Sequence, residues 1–181
     1  RRECAMTTYT APLKDMAFVL HDVLNVSTRD IPGYADLDRG FTTAVLEEAG
    51  KLASDVLAPL NAVGDHEGCA LENGAVRTPS GFKSAFDQLR TGGWTALDCD
   101  PEFGGQGLPW AVAFPVQEMW QAANMAFGLC PLLNQGAVEA ILSHGSNVVI
   151  SGLHRRVANV LAVGSLGPIL CLMHAIRYSI E

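Results

Sequence analysis

The chain has 181 residues, of which 49% are hydrophobic and 17% are charged. This length and apolar content suit one compact domain and exclude collagen-like, low-complexity and disordered classes. The 19 acidic and 12 basic residues give a formal net charge of -7, which disfavours binding to nucleic acid. The five cysteines are widely spaced and form no disulfide or zinc pattern, so we expect a reducing, cytoplasmic location and no metal site.

The charge is distributed unevenly along the chain. Residues 7–146 contain 17 acidic and 7 basic side chains, whereas residues 147–181 contain three arginines and one glutamate. The character of the sequence therefore changes near position 147, and the two parts need separate interpretations.

Helical periodicity begins near the N-terminus. Apolar residues at spacings of three and four predict a helix over Pro12–Leu24, and the same pattern predicts a longer helix over Phe41–Leu60. Residues 29–40 contain proline, glycine and several aspartates, which indicates a connecting loop. We expect Asp38 to cap the second helix and Pro59 to kink or end it.

The middle of the chain combines a polar loop with a short amphipathic helix. Residues 61–77 are polar and glycine-rich, with a possible small hairpin at Asn73 and Gly74. An apolar face over Phe82–Leu89 predicts a helix that is closed by Gly92-Gly93.

Two further helices are predicted in the last part of the patterned region. The first covers Trp110–Phe127 and should be bent by Pro115, and the second covers Pro131–His144. Few segments show strand character, so the fold class is all-α, and we expect a helical bundle. The helix over Pro12–Leu24 should pack outside this bundle as an extension.

The loop over residues 98–107 contains an alternation of acidic residues that is typical of calcium loops. Asp98, Asp100 and Glu102 match the start of an EF-hand, but Phe103 and Pro109 stand where glycine and glutamate are required. We therefore interpret these residues as an exposed acidic loop.

The glycines in the same loop do not complete a phosphate-binding motif. Gly104, Gly105 and Gly107 lack both the third glycine of a dinucleotide loop and the lysine of a P-loop, so a turn with positive φ is the simpler interpretation. The sequence contains no nucleophile elbow, no Cys/His signature and no histidine ligand pattern. No catalytic residue is predicted from chemistry alone.

Several separate segments resemble acyl-CoA dehydrogenases. Residues 92–109 carry a Gly-Trp pair followed by Pro-Glu-Phe-Gly-Gly-Gln-Gly, which is similar to a hallmark of the N-terminal domain of that family. Other segments are similar to a bacterial branch with an extra N-terminal helix, which includes 3-(methylthio)propanoyl-CoA dehydrogenases. These segments are Tyr9–Leu20, Gly64–Cys69, Ala123–Phe127 and His144–Ser146.

The resemblance covers residues 7–146 and implies a helical domain beside the acyl pocket of a flavoprotein oxidoreductase of fatty acid metabolism. Such enzymes use FAD, remove an α-proton from an acyl-CoA thioester and pass hydride from the β-carbon to the flavin. The family also implies an electron-transfer partner and a homo-oligomer. It further implies that Phe127, Leu129 and Leu132 face the acyl chain. Ordinary core packing is the alternative for these residues and for the neighbouring Met125 and Leu133.

The resemblance ends after residue 146, where the flavin-contacting segments of the family do not follow. We therefore divide the chain into an N-terminal extension (7–40), a dehydrogenase-like helical domain (41–146) and an off-pattern apolar tail (147–181). The sheet domain and the catalytic base have no counterpart here. The resemblance thus implies a fragment that is inactive alone and does not hold FAD tightly; no cofactor-binding residue is assigned.

The tail allows three interpretations. The uncharged run over Val157–Ile176 is long enough to span a bilayer, but its polar residues and glycines argue against this. A buried helix is a second possibility, and a shifted reading frame after the Ser146 codon is the hypothesis we prefer. A non-catalytic helical interaction module, or a membrane-anchored one, is the alternative function.

Overall fold

A computed structural model of the chain describes residues 9–103 and 105–144. These residues divide into two compact units. The first unit comprises the described residues up to Ala85 together with Pro109–Gly128, and the second comprises Phe86–Leu108 and the described residues from Leu129 onward. The predicted tail over 147–181 lies outside the described residues.

Helices dominate the described part of the chain, and one small hairpin accompanies them. In chain order the elements are α1 (Leu13–Phe18), α2 (Arg39–Lys51), α3 (Ala58–Glu67), β1 (Ala70–Glu72), β2 (Ala75–Arg77), α4 (Phe82–Thr91), α5 (Trp110–Ala123) and α6 (Met125–His144). Short π-helical segments follow α1 at Val19–Val23 and α2 at Leu52–Leu57. The predicted all-α fold class is confirmed, since the described strands form only a two-stranded antiparallel hairpin.

The N-terminal helical segment packs against α2 in the first unit. His21 Nε2 lies 2.6 Å from Thr42 Oγ1, and the Arg39 guanidinium lies 2.8 Å from the Asp22 carboxylate. Leu20 is buried on the same segment. Met16 of the predicted apolar stripe is also buried, whereas Leu24 is 43% exposed. The position of this helix outside the bundle, as an extension, stays a prediction.

The start of α2 agrees with the sequence, but its end does not. The Asp38 side chain accepts a hydrogen bond of 2.8 Å from the Phe41 backbone N–H, which confirms the predicted cap. The helical backbone does not end at Pro59, because it continues from Lys51 through the π-helical segment into α3. Pro59 lies just after the π-helical segment passes into α3, so the predicted end at this residue is wrong, and the alternative of a kink stays a prediction. The predicted loop over 61–77 consequently begins only after Glu67.

The predicted hairpin is present. Strands β1 and β2 pair antiparallel, with Glu72 opposite Ala75. Asn73 and Gly74 form the two-residue turn with φ of 52° and 77°, the left-handed geometry that favours asparagine and glycine.

The boundary between the last two helices differs from the prediction. Helix α5 ends at Ala123 and α6 begins at Met125, so Phe127 and Pro131 both lie inside α6. Asn124 separates the helices because its backbone is extended, with φ -157° and ψ 90°. Pro115 lies inside α5, as the sequence indicates.

The core of the first unit lies among α2, the π-helical segment after it, and α5. Its largest fully buried side chains are Leu37, Leu46, Leu57, Val112, Val116, Met119 and Trp120. In the second unit, Leu89, Leu97 and Val138 are buried. The division at residues 40 and 146 stays a prediction. Among the described helices, none is both long and apolar enough to cross a membrane.

Candidate functional site

Phe127 is the only one of the three predicted acyl-facing residues whose side chain is buried. It lies in the first turn of α6 and is 5% exposed. Its ring packs against Phe82 of α4 in a tilted arrangement, with ring centroids 5.7 Å apart. This contact favours a packing role in the described part of the chain, the alternative that the sequence left open.

Leu129 and Leu132 follow on α6 and present apolar side chains at the surface. Their exposed fractions are 45% and 37%. They belong to the second unit, whereas Phe127 belongs to the first. Their exposure is compatible with a pocket that further protein would complete, and their assignment to the acyl chain stays a prediction.

Asn124 fixes the start of α6 and was not identified from the sequence as a structural residue. Its side-chain Oδ1 accepts a hydrogen bond of 3.1 Å from the Phe127 backbone N–H, so Asn124 caps the helix. Its Nδ2 donates a hydrogen bond of 3.1 Å to the Leu57 carbonyl oxygen. Asn124 is 1% exposed. Its two hydrogen bonds join the start of α6 to the end of the π-helical segment. An asparagine before an apolar run is a cap signal that could have revealed this role.

Gly64 of α3 lies close to the ring of Phe82 at the start of α4. A Cβ atom on Gly64 would lie 2.9 Å from Phe82 Cζ, so only glycine leaves room for this ring. In the first unit the Phe82 ring therefore lies close to Gly64 and also contacts the Phe127 ring near the beginning of α6.

The glycine loop of the second unit is closed by backbone hydrogen bonds. The Leu108 N–H donates to the Leu97 carbonyl oxygen over 2.7 Å, and the Gly107 N–H donates to the Cys99 carbonyl oxygen over 2.9 Å. A Cβ atom on Gly105 would lie 1.9 Å from that same Cys99 oxygen. Gly107 has φ +65°, which confirms the turn interpretation for this residue.

Burial changes the titration of two neighbouring side chains in this loop. Desolvation is the largest influence and raises the pKa of the Asp98 carboxyl, while its own backbone N–H and the Gln135 side chain oppose this shift and the charge of Glu139 adds to it. Desolvation also raises the pKa of Cys99 to about 11, with contributions from Asp98 and Glu139. The Cys99 thiol is therefore neutral at ordinary pH and unsuited to act as a nucleophile.

The described acidic and cysteine residues do not form a metal centre. No group of three or more histidine, cysteine, aspartate or glutamate side chains in residues 9–103 and 105–144 is arranged to hold a metal ion. Asp100 instead accepts a hydrogen bond of 2.8 Å from the Glu102 backbone N–H, which is a local loop contact.

The basic side chains do not provide an evident place for the pyrophosphate of FAD, which needs cations or converging N–H donors. Residues 7–146 contain seven lysines and arginines. Four of these are engaged with carboxylates, in the pairs Arg39–Asp22, Lys51–Glu48, Arg77–Glu72 and Arg90–Asp87. We assign no FAD-binding residue among the described residues, and we derive no catalytic step through the flavin.

Comparison with characterised proteins identifies three relatives that are all acyl-CoA dehydrogenases. Over 141 residues the chain is 39% identical to 3-methylmercaptopropionyl-CoA dehydrogenase of Ruegeria pomeroyi, a match that covers 77% of this chain and 24% of that protein. It is 27% identical over 124 residues to a broad-specificity linear acyl-CoA dehydrogenase of Mycobacterium tuberculosis, covering 67% of this chain and 20% of the relative.

A third relative is butyryl-CoA dehydrogenase of Syntrophomonas wolfei, with 27% identity over 152 residues, 78% of this chain and 24% of the relative. No protein-family model matches the chain. The chain spans about a quarter or less of the length of these three relatives. The helical fold and these matches together show that the chain belongs to the acyl-CoA dehydrogenase family and corresponds to the N-terminal part of its members.

Proposed function

We propose that this chain supplies the N-terminal helical part of an FAD-dependent acyl-CoA dehydrogenase, which would oxidise an acyl-CoA thioester between its α- and β-carbons. The observation that carries the proposal is the 39% identity over 141 residues to a dehydrogenase of which the chain spans 24%. All three relatives named above are acyl-CoA dehydrogenases, which supports the reaction class.

In the proposed enzyme, the beginning of α6 contributes to the wall of the acyl pocket. Leu129 and Leu132 have the apolar surface that an acyl chain requires, and both are exposed in the described residues. Phe127, in the first unit, packs against Phe82. The role of the chain is therefore to shape and cover the pocket.

The chemical step requires a carboxylate within hydrogen-bond reach of the substrate α-proton. Among the described carboxyl groups, burial shifts the pKa of Asp98 upward, but no carboxylate in the described residues is assigned as this base. We therefore expect no turnover by this chain alone and no tight retention of FAD.

The purified chain provides the first test. After incubation with FAD and removal of free cofactor, we expect no flavin absorbance and no reduction of an electron acceptor by acyl-CoA substrates. The complete Ruegeria pomeroyi relative, treated identically, serves as the control for both assays. A yellow chain that oxidises acyl-CoA would contradict the proposal and would place catalytic groups among residues interpreted here as structural.

The pocket assignment has a separate test in a complete enzyme. We would replace the matching N-terminal segment of the Ruegeria pomeroyi relative with residues 9–144 of this chain and introduce Leu132→Trp. The larger side chain should shift the preference of this chimera toward shorter acyl chains, whereas Leu71→Trp on the exposed hairpin should leave the preference unchanged. An unchanged preference in Leu132→Trp would remove the support for the pocket assignment.

The acyl-CoA substrate, an electron-transfer partner, homo-oligomerisation and a cytoplasmic location are further parts of this proposal. The interpretations of residues 147–181 as a membrane span, a buried helix or a shifted reading frame concern residues outside the described part. Sequencing the DNA downstream of the Ser146 codon tests the shifted reading frame, which is the interpretation we prefer. A displaced frame that encodes the flavin-contacting segments would support the enzyme, and its absence would favour the non-catalytic module.

A further inference from the structure

One face of α3 contacts the segment that begins α4, and all of these residues belong to the first unit. Leu60, Gly64 and Glu67 follow one another at positions i, i+4 and i+7, which places them on the same side of the helix. Their partners are the consecutive residues 80–82, directly before and at the start of α4. A single helix face therefore meets one short segment at three points.

Two of the three contacts are close steric approaches. A Cβ atom on Gly81 would lie 2.7 Å from Leu60 Cδ2, and Gly81 has φ +83°, which favours glycine. A Cβ atom on Gly64 would lie 2.9 Å from Phe82 Cζ. These approaches prevent the start of α4 from moving toward α3, but they do not prevent it from moving away.

The third contact is attractive. Glu67 Oε2 accepts a hydrogen bond of 2.7 Å from the Ser80 backbone N–H, across 13 positions of the sequence. An ionised acceptor makes a stronger hydrogen bond than a neutral one. The hairpin within residues 68–79 is no substitute for this bond, because two strands alone are only marginally stable in water. The Glu67 carboxylate therefore closes the base of this segment and holds Ser80 against α3.

We propose that Glu67 is a positioning residue: its carboxylate holds Ser80 and thereby sets the place where the Phe82 ring meets the Phe127 ring. The centroids of these rings lie 5.7 Å apart, and Phe82 is only two residues beyond Ser80. Phe127 is one of the residues predicted to face the acyl chain, so the consequence for an enzyme rests on the proposed function. The ring contact itself does not depend on that function.

The charge of Glu67 gives this role a measurable signature. Hydrogen bonding by the Ser80 backbone is the largest cause of a lowered pKa for the Glu67 carboxyl. The Ser80 side chain and the positive charge of Arg77 lower this pKa further, while desolvation opposes them. Arg77 also lies 3.0 Å from the Glu72 carboxylate on the hairpin. Since the folded-state pKa of Glu67 is below its unfolded value, its contribution is complete above the ordinary glutamate pKa and is lost as pH falls through the folded-state pKa.

The test follows the ring contact in the full chain by NMR. In Glu67→Ala, the nuclear Overhauser effect between the Phe82 and Phe127 rings should weaken, and protection of the Ser80 amide hydrogen from exchange should fall several-fold. The unsubstituted chain should show the same changes as pH falls through the folded-state pKa of Glu67. Glu67→Gln retains an uncharged acceptor, so it should restore most of both signals and remove this pH dependence. Asp65→Ala removes another exposed carboxylate of α3 and should leave both signals unchanged.

The positioning role and the proposed function fail in different ways. If both signals are unchanged in Glu67→Ala, or if Glu67→Gln is as defective as Glu67→Ala, the positioning role is wrong. The chimera described above, carrying the same substitutions, separates the two proposals. A chimera that does not oxidise acyl-CoA, but whose ring contact responds to Glu67→Ala and recovers in Glu67→Gln, would support the positioning role and contradict the proposed function alone.

Discussion

Asn124 in the first unit and Gln135 in the second are both buried amides on or beside α6, but they are satisfied to different degrees. Asn124 uses its oxygen to cap α6 and its nitrogen to bind the Leu57 carbonyl oxygen. The side-chain oxygen of Gln135 is buried and has no hydrogen-bond partner in the described part of the chain. A buried amide that is fully paired with the backbone stabilises the helix start, whereas a buried amide oxygen without a partner costs free energy of desolvation.

The largest expected effect concerns the glycine loop of the second unit. In Gly105→Ala the new Cβ atom would lie 1.9 Å from the Cys99 carbonyl oxygen, so the backbone of the loop must move. We expect a loss of about 4 kcal/mol in the free energy of unfolding, measured by urea denaturation. A loss below about 1 kcal/mol would show that the loop tolerates this displacement.

Substitutions on α6 separate packing in the first unit from exposed surface in the second. Phe127→Ala removes a ring that is 5% exposed and packs on Phe82, which should cost about 3 kcal/mol. Leu132→Ala removes a side chain that is 37% exposed and should cost roughly 1 kcal/mol or less. Equal losses of thermal stability in the two variants would contradict the assignment of Leu132 to an open surface.

Asn124→Ala removes the cap of α6 and leaves the buried Leu57 carbonyl oxygen without its donor. The expected loss is about 2 kcal/mol, which combines the two effects. Asn124→Asp retains an acceptor for the Phe127 N–H but places a buried carboxylate oxygen against the Leu57 carbonyl oxygen, so it should be at least as destabilising as Asn124→Ala. Asn61→Ala on the exposed surface of α3 is the control. If Asn61→Ala lowers the free energy of unfolding as much as Asn124→Ala does, the hydrogen bonds of Asn124 have no special role in stability.

The sequence predicts features that depend on near neighbours. Asp38 was identified as a cap and Asn73-Gly74 as a turn because each acts on a backbone a few residues away. Asn124 was missed because the apolar pattern continues across it and concealed the change of helix. The hydrogen bond from the Asn124 side chain to the Leu57 carbonyl oxygen could not be predicted, since it joins residues that only the folded chain brings together.

The smallest expected effect is a gain in stability. A Cβ atom on Gly136 meets nothing within 4 Å, so Gly136→Ala should stabilise α6 by about 0.5–1 kcal/mol through its higher helix propensity. Thermal unfolding of this variant beside Gly105→Ala compares the same chemical change at two glycines of the second unit. A destabilised Gly136→Ala would indicate that α6 has an additional contact at this position.

Acyl-CoA turnover by the chimera described above, measured beside the isolated chain, tests the central claim most directly. If residues 9–144 form the N-terminal part of an acyl-CoA dehydrogenase, the chimera should retain flavin and oxidise acyl-CoA. The isolated chain should be colourless and inactive. A chimera that folds and retains flavin but does not oxidise acyl-CoA, or an isolated chain that does, would contradict the account.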